Sequence, residues 1–319
     1  MEILHFRRNL KDRFDFREIH VVSGFIIGRT MGMDALEMVR LAPLMSRSEG
    51  RSEVVLALID GPVAHDHPDL AESKIREISI DIRAFCSHLG SVACVHGTFV
   101  AGMLVARRGS QAPAICPGCT LILRPIFAEN MKNNDPMPKA TPDELADAIS
   151  DAIGAGAKVI NLSAGLTRPS TRGEHELGQA LDYAAQRGVV VVAAAGNQAM
   201  VGSSAITRHH WVIPVIGCDP QGRPTAESNL GSAIGRWGLA APGVDVVSLG
   251  SDGQPRTSGG TSAAAPFVTG AIALLWSEFP SASAAQIKLA VTQAAGRRRR
   301  TIAPPLLDAW AAYESMSKN

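Results

Sequence analysis

Residues 54–60 read Val-Val-Leu-Ala-Leu-Ile-Asp, an apolar run that ends in a carboxylate. A continuous apolar run of this length is typical of a strand buried on both faces of a parallel sheet. Four similar runs follow, at residues 120–126, 158–162, 189–194 and 211–216, and helical patterns lie between them. Strands that alternate with helices predict an α/β fold, a doubly wound and mostly parallel sheet flanked by helices in three layers.

Helix signals support this alternation. Thr141-Pro142-Asp143-Glu144 combines a Thr N-cap, a Pro in the first turn and two early acids, which predicts a helix that runs to about Ile153. A second helix is predicted over about 174–186, ending at Arg187-Gly188. Sites in such sheets form beyond the carboxyl ends of the strands, and Asp60 and Asn197 both follow predicted strands.

The first 50 residues differ from the rest. They are rich in Arg and Met and lack clear strand–helix alternation. Met33 to Met45 has helix-like apolar spacing and predicts one helix packed on the main body. We therefore predict an N-terminal extension at 1–50 and a single domain at 51–319. The extension shows no clear cleavage signal, so a permanent segment is favoured over one that is removed.

Charge and hydropathy exclude several classes of partner. The 319 residues carry 31 Lys and Arg against 30 Asp and Glu, a net charge of +1, which gives no reason to expect a nucleic acid or a membrane surface as a partner. No stretch of about 18 apolar residues is present, and residues 1–16 lack the apolar core of a secretory signal. Cytoplasmic residence is the resulting prediction.

The five cysteines are an odd number, which in an apparently unexported chain favours mostly free thiols. They are Cys86, Cys94, Cys116, Cys119 and Cys218. The pair in Cys116-Pro117-Gly118-Cys119 could also form a redox or zinc half-site completed by the first two cysteines, although their spacing is poor for zinc. A structural disulfide is the other alternative.

Four short segments carry the types of residue that chemistry needs. Each contains small residues beside one polar side chain, and they occur in the order Asp, His, Asn, Ser. The segments are Leu58-Ile59-Asp60-Gly61-Pro62, His96-Gly97-Thr98-Phe99-Val100-Ala101-Gly102, Ala193-Ala194-Ala195-Gly196-Asn197 and Gly260-Thr261-Ser262-Ala263-Ala264-Ala265-Pro266.

From about Val54 to Ala312 the chain resembles the subtilases, the subtilisin-like serine peptidases, whose catalytic residues follow the order Asp, His, Ser. The resemblance implies a catalytic triad of Asp60, His96 and Ser262, with the Asn197 side chain as a donor of the oxyanion hole. Each residue has an ordinary structural alternative, such as a strand-end cap, a buried His or a helix N-cap. Four such coincidences in the right order would be needed to replace the catalytic interpretation.

The expected chemistry explains these residue types. Ser262 would attack the scissile carbonyl while His96 removes its proton and later donates it to the leaving amine. Asp60 would fix the imidazole tautomer. A helix that starts at the nucleophile would direct its partial positive charge at the oxyanion. Pro266 is expected in the first turn of that helix, where proline is tolerated.

Two further segments resemble the substrate-binding parts of subtilases. Ser163-Ala164-Gly165 follows a predicted strand and resembles the segment that pairs with the substrate backbone as an added strand. The alternative is a plain exit from strand to loop. Ala193, Ala194 and Ala195 would then form the other wall of the pocket for the residue before the scissile bond.

Other residues resemble the subtilases that mature cyanobactins and related ribosomally made peptides. Gly61-Pro62 replaces the more usual Ser/Thr-Gly after the catalytic Asp, and the resulting Asp60-Gly61-Pro62 sequence carries this likeness. Phe99, where many subtilases have a second His, is a separate departure from the family pattern and leaves the expected base in place. Arg124-Pro125-Ile126-Phe127 and the segment at 161–165 add to this likeness. It implies a peptidase that trims the leader of a precursor peptide.

Two other functions remain as alternatives. One is a transpeptidase or macrocyclase with the same triad, and the other is a non-catalytic peptide-binding relative. Cyclases of this kind carry an inserted helical segment between the Asp and His motifs. Here only Gly61 to Val95 separates the motifs, which favours hydrolysis.

No cofactor or metal site is predicted. His65-Asp66-His67-Pro68-Asp69 is rich in ligand types, but His-Pro-Asp-Leu is a common structural continuation of the Asp motif in subtilases. Calcium is common in secreted subtilases, yet the loop at 107–113 has no Asp, Glu or Asn to bind it. A calcium site elsewhere stays open.

Overall fold

The computed structural model describes residues 31–78, 86–127, 129, 140–163, 174–294 and 301–318, with side chains from residue 35 onward. The described strands form a seven-stranded sheet and a two-stranded antiparallel ribbon. The sheet strands are β1 Val55–Asp60, β2 Lys74–Glu77, β3 Thr120–Pro125, β4 Val159–Leu162, β5 Val190–Ala194, β6 Val212–Cys218 and β7 Leu239–Pro242. The ribbon consists of β8 Val246–Leu249 and β9 Pro255–Ser258.

Ten helices lie in the described ranges, besides a single 3₁₀ turn at Pro68–Leu70. The helices are α1 Met31–Met38, α2 Ala42–Arg47, α3 Val92–Val105, α4 Pro142–Gly154, α5 Glu174–Arg187, α6 Ala205–Arg208, α7 Ser232–Trp237, α8 Thr261–Glu278, α9 Ala284–Gln293 and α10 Ala309–Ser317. None of the helices in the described residues is long and apolar enough to cross a bilayer.

The central strand β1 is buried on both faces. Leu56 and Leu58 face one core, which they share with α3, α8 and α9. Ala57 and Ile59 face a second core, which they share with α4 and α5. Alternate residues of one strand therefore serve two hydrophobic cores, and the predicted three-layer α/β fold is confirmed.

The strand order explains where a site can form. The sheet runs β2-β3-β1-β4-β5-β6-β7, and all its neighbouring strands are parallel. The chain leaves β1 towards β3 and β2 on one side and later returns to build β4 to β7 on the other. In open parallel sheets a crevice forms at this reversal, beyond the carboxyl ends of the strands. Asp60 is the last residue of β1 and lies at that point.

The predicted helix signals act as expected. The Thr141 hydroxyl accepts a hydrogen bond from the Glu144 N–H at 3.2 Å, and the Glu144 carboxylate accepts one from the Thr141 N–H at 2.8 Å. This reciprocal capping box satisfies donors that the first helical turn leaves open. The helix α4 that follows is one residue longer than predicted, and α5 covers the second predicted helix.

One prediction about the extension is wrong. The expected single helix over Met33 to Met45 is divided into α1 and α2, because Arg40 between them has a φ of +50°. A left-handed residue cannot continue a right-handed helix. The packing on the main body is nevertheless confirmed, since Leu41 and Leu44 are fully buried in the larger core. The division of the chain at residue 50 stays a prediction.

The cysteine prediction needs a correction at one pair. Cys86 and Cys94 form a disulfide, so they are not free thiols and cannot complete a four-cysteine zinc site. The other three cysteines are free and buried, as expected. The disulfide joins the residues before α3 to its first turn.

Candidate active site

Asp60 and His96 form a hydrogen-bonded pair at the end of β1. His96 Nδ1 lies 2.7 Å from Asp60 Oδ1, which also accepts the Gly61 N–H at 2.6 Å. Asp60 is fully buried, whereas the His96 side chain is 31 % exposed. Because Nδ1 faces the carboxylate, Nε2 is the ring atom left to take up a proton.

The environment of His96 favours its protonated form. Burial acts to lower the pKa of the imidazole, but the Asp60 charge and the hydrogen bond to Asp60 act in the opposite direction and prevail. The pKa of His96 is therefore raised above the usual value for histidine. A ring of this kind can hold a proton during a reaction and release it afterwards.

Two glycines bring this pair together. A Cβ on Gly61 would lie 2.1 Å from the carbonyl oxygen of Ala93 in α3. A Cβ on Gly97 would lie 2.5 Å from the carbonyl oxygens of Gly61 and Pro62. The loop after β1 and the first turns of α3 thus touch backbone to backbone, an approach that only glycine permits. Thr98 of α3 strengthens the contact by accepting the Ala64 N–H at 2.9 Å.

Ser262 is the second residue of α8 and is half-buried. Its hydroxyl makes no hydrogen bond to another described residue, His96 included, and hydrogen bonds between catalytic groups are often long or poorly aligned before substrate binds. The predicted position of Pro266 is wrong, because α8 begins at Thr261 and Pro266 lies in its second turn. Since proline has no N–H, the Ser262 carbonyl lacks its usual helical donor.

Asn197 contacts the start of α8. Its Oδ1 accepts the Thr261 N–H at 2.9 Å, and the Gly196 N–H donates to Thr261 Oγ1 at 3.2 Å. A Cβ on Gly260 would lie 2.8 Å from Asn197 Nδ2, so only glycine leaves room for this amide. With Oδ1 engaged, the Nδ2 group of the exposed Asn197 side chain is free to donate to a ligand.

The predicted substrate-binding segments lie side by side at the ends of β4 and β5. Leu162 pairs with Ala193 in the sheet, so Ser163 follows directly beside Ala194 and Ala195. All of these are at least nine-tenths buried. Ala164 and Gly165 lie outside the described residues.

Sequence reasoning missed a buried polar pair that supports Ser163. Asn161 is fully buried in β4, and its Nδ2 donates to Ser163 Oγ at 2.7 Å. Its Oδ1 accepts from the Thr269 hydroxyl of α8 at 2.7 Å. An amide inside the apolar run of β4 was the available signal, because buried polar groups require partners. The bonds join the Ser163 segment to the helix of Ser262.

The potential metal ligands have other roles in the structure. His67 Nδ1 accepts the Asp69 N–H at 3.0 Å and caps the turn at Pro68–Leu70, while Asp69 pairs with Arg107 at 2.8 Å. A group formed by Cys86, Cys94 and Glu129 has ligand atoms within 4.8 Å of one another. Two of these three are joined in the disulfide and offer no thiolate. That the protein needs no metal or cofactor stays a prediction.

The sequence of the chain is similar to those of known serine proteinases over most of its length. A thermophilic serine proteinase from Bacillus sp. (strain AK1) is 34 % identical over 232 residues, which cover 72 % of this chain and 54 % of the relative. The chain spans about half the length of the first curated relatives it matches. Their whole activity therefore does not transfer with the match.

Solved structures also resemble the chain. A mutant of the protease domain of PatA is 27 % identical, with a TM-score of 0.76, over 84 % of this chain and 97 % of that one. The prenylagaramide maturation protease PagA is 26 % identical, with a TM-score of 0.77, over 88 % and 99 %. The model of the subtilase family matches residues 51–309. The chain belongs to the subtilase family.

Proposed function

We propose that the chain is a serine endopeptidase that hydrolyses peptide bonds through Asp60, His96 and Ser262. The observation that carries this proposal is the 2.7 Å bond from His96 Nδ1 to the buried Asp60 carboxylate. It fixes the tautomer in which Nε2 can accept a proton. Membership of the subtilase family supports the same assignment.

The proposed reaction gives each of these residues a step. His96 Nε2 takes the Ser262 hydroxyl proton as Oγ bonds to the scissile carbonyl carbon, and the carbonyl oxygen becomes an oxyanion. Asn197 Nδ2 and the Ser262 N–H at the start of α8 would stabilise that oxyanion. The imidazolium then gives its proton to the leaving amine and the C–N bond breaks. Water, deprotonated by His96, attacks the acyl-enzyme and releases the new carboxylate.

The proposed natural substrate is a ribosomally made precursor peptide that loses its leader. The support is the likeness to PatA and PagA, the second of which is described as a maturation protease. The Asp60-Gly61-Pro62 sequence and residues 124–127 add to it. The added-strand role of Ser163 and the pocket role of Ala193 to Ala195 belong to this proposal as well.

The test is labelling with a fluorophosphonate followed by intact-mass spectrometry. We expect one adduct on the wild type, none on Ser262→Ala, and an unchanged adduct on Ser232→Ala, which removes an exposed serine hydroxyl at the start of another helix. No adduct on a folded wild type would overturn the proposal and favour a peptide-binding role.

Product masses separate hydrolysis from transpeptidation. Cleavage of a precursor peptide by water adds 18 Da across the two products, roughly the mass of one water, whereas cyclisation of the released segment adds none. We expect linear products with added water. A cyclic product would replace hydrolysis with transfer to the peptide's own amine.

A further inference from the structure

An open pocket of about 620 Å³ lies beyond the carboxyl ends of β6 and β7. Its wall includes Gly259, three residues before Ser262, and Gly243, which follows β7. The Gly260 N–H donates to the Gly243 carbonyl at 2.8 Å, so the pocket wall is bonded directly to the segment that carries the nucleophile. Nothing in the proposed reaction uses this pocket.

A second part of the pocket lining is bonded to the loop of Asn197. The pocket is lined there by Glu227, whose carbonyl accepts the Ala199 N–H at 2.8 Å. Nearby, the Asn229 N–H donates to the Gly196 carbonyl at 2.8 Å. The pocket lining is thus hydrogen-bonded to both segments that hold the proposed nucleophile and the proposed oxyanion donor.

The sheet order determines which part of a substrate would reach the pocket. Ser163 and Ala195 follow β4 and β5, where the acyl part of the substrate is proposed to bind. Asn197 also follows β5, and the pocket lies past it, at β6 and β7. A peptide that crosses Ser262 away from β4 therefore places its leaving part, the residues after the scissile bond, over this pocket.

The pocket has a strong charge bias. Its described lining includes the acidic residues Asp219, Glu227 and Asp245 and contains no Lys, Arg or His. Glu227 and Asp245 are exposed and form no ion pair with another described residue, while Asp219 pairs with Arg223 at 2.6 Å. The formal charge of the lining is therefore negative even with Asp219 balanced by Arg223, although the chain as a whole is nearly neutral.

The spacing of these carboxylates suits a side-chain cation better than a chelated metal. Among the described residues, they do not form a group whose ligand atoms all lie within 4.8 Å of one another. A calcium or magnesium ion needs its oxygen ligands close together. A guanidinium or ammonium group on a long side chain can instead lie between separated carboxylates.

We propose that this acidic pocket binds an Arg or Lys side chain within the first two residues after the scissile bond. The inference rests on the proposed peptidase function and adds a specificity for the leaving part of the substrate. Exposed charge pairs are individually weak, but two or three carboxylates acting on one cation give about a 10-fold preference over a neutral side chain. Salt screens such a preference.

Acyl transfer tests the pocket independently of leader recognition. An N-acyl amino-acid ester acylates Ser262 and releases its alcohol, and an added dipeptide amide then competes with water for the acyl group. The attacking amine forms the new amide bond, and Ser262 recovers its proton. The amides carry Arg, Gln or Glu at their first or second position, and the measurement is the ratio of transfer product to hydrolysis product.

We expect the Arg amide to capture the acyl-enzyme about 10-fold better than the Gln amide, and the Glu amide to be the poorest. In the double variant Glu227→Gln/Asp245→Asn the ratio of Arg to Gln should fall to about 1–2, and 0.5 M NaCl should narrow it in the wild type. The control Glu176→Gln removes an exposed carboxylate of α5 outside the pocket and should keep the preference.

The outcomes of this experiment distinguish failure of the acidic pocket from failure of the proposed peptidase function. Ester turnover with equal capture of the Arg and Gln amides would overturn the acidic pocket and leave the peptidase intact. An Arg preference that survives the double variant would also overturn it. Absence of both ester turnover and a fluorophosphonate adduct would mean that the proposed function itself has failed.

Discussion

The helices that carry the proposed base and nucleophile begin in opposite ways. At the start of α3, the Ser91 hydroxyl accepts the Cys94 N–H at 3.2 Å and donates to the Glu129 carboxylate at 2.7 Å. That carboxylate also accepts the Ser87 N–H at 2.9 Å, and a disulfide joins Cys86 to Cys94. One open donor of this helix start, the Cys94 N–H, is thus capped by the side chain of the N-cap residue, and the residues before the helix are tied down by Glu129 and the disulfide.

The start of α8 has no cap from its own N-cap residue. Its N-cap residue is Gly260, which has no side chain to accept a hydrogen bond, and the Thr261 N–H is held by Asn197. The next N–H, that of Ser262, receives no cap from Gly260. A helix start without an anionic partner keeps its partial positive charge available to a ligand. The comparison suggests that one helix start serves stability and the other serves the reaction.

The largest expected effect on turnover is at Asp60, which holds His96, the proposed general base on α3. We expect Asp60→Asn to lower kcat by about 10⁴-fold, because the amide favours the wrong tautomer of His96. The rate of ester hydrolysis measures the change. Asp69→Asn, which removes a carboxylate from an exposed ion pair with Arg107, is the control and should stay close to wild type. A variant of Asp60 with full activity would remove it from the reaction.

The rate of ester hydrolysis should depend on pH in a direction that the pKa of His96 determines. The base must be unprotonated to accept the Ser262 proton, and the pKa of His96 is raised by Asp60. Activity should therefore fall as the pH drops through a value above the ordinary histidine pKa of about 6.5. If the fall of kcat/KM towards low pH had its midpoint below about 6.5, the result would contradict a raised pKa of His96.

A matched pair of variants tests the comparison itself. Asn197→Ala, at the start of α8, should lower turnover by about 10²–10³-fold, the usual loss for one oxyanion donor, and lower the free energy of unfolding by about 1 kcal/mol, because the Thr261 N–H loses its acceptor. Ser91→Ala, at the start of α3, should lower the free energy of unfolding by about 1 kcal/mol and leave turnover near wild type. Thermal unfolding and ester hydrolysis are measured on both proteins. The reverse pattern would exchange the roles of the two helix starts.

Much of the fold could be predicted because its signals are local. The apolar run of β1 shows burial on both faces, and the capping box of α4 is contained within Thr141 to Glu144. The Asp60 and His96 segments are also readable, since each carries the glycine that their close approach requires. These features depend on residues that are neighbours in the chain.

The remaining features depend on contacts between distant residues. The left-handed Arg40 that divides α1 from α2 lies between Val39 and Leu41, which are both fully buried in a core built from distant parts of the chain. The bond from Thr269 to Asn161 joins residues 108 positions apart. The acidic pocket takes its carboxylates from loops after β6 and β7, and no single stretch of sequence contains all three.

The smallest expected effect on turnover is at the disulfide before α3. Closing a loop of eight residues' separation contributes about 2–3 kcal/mol to the free energy of unfolding in the chain-entropy account. We expect Cys86→Ser/Cys94→Ser to lose about this much stability in urea unfolding and to keep most of its ester turnover. The reason is that His96 is held by Asp60 and by the backbone contact at Gly97, not by the disulfide.

Reduction provides the matched control for this prediction. A phosphine reductant should lower the stability of the wild type and have no further effect on the double variant. If turnover fell sharply while stability held, the disulfide would instead position His96, and the contrast between the two helix starts would fail. Disulfides are rare in reducing compartments. If free thiols are alkylated during isolation, the mass of the peptides that contain Cys86 and Cys94 shows whether the pair is oxidised, and this also tests the predicted cytoplasmic residence. A fully oxidised pair would argue against that compartment, because the cytosol would be expected to keep most copies reduced.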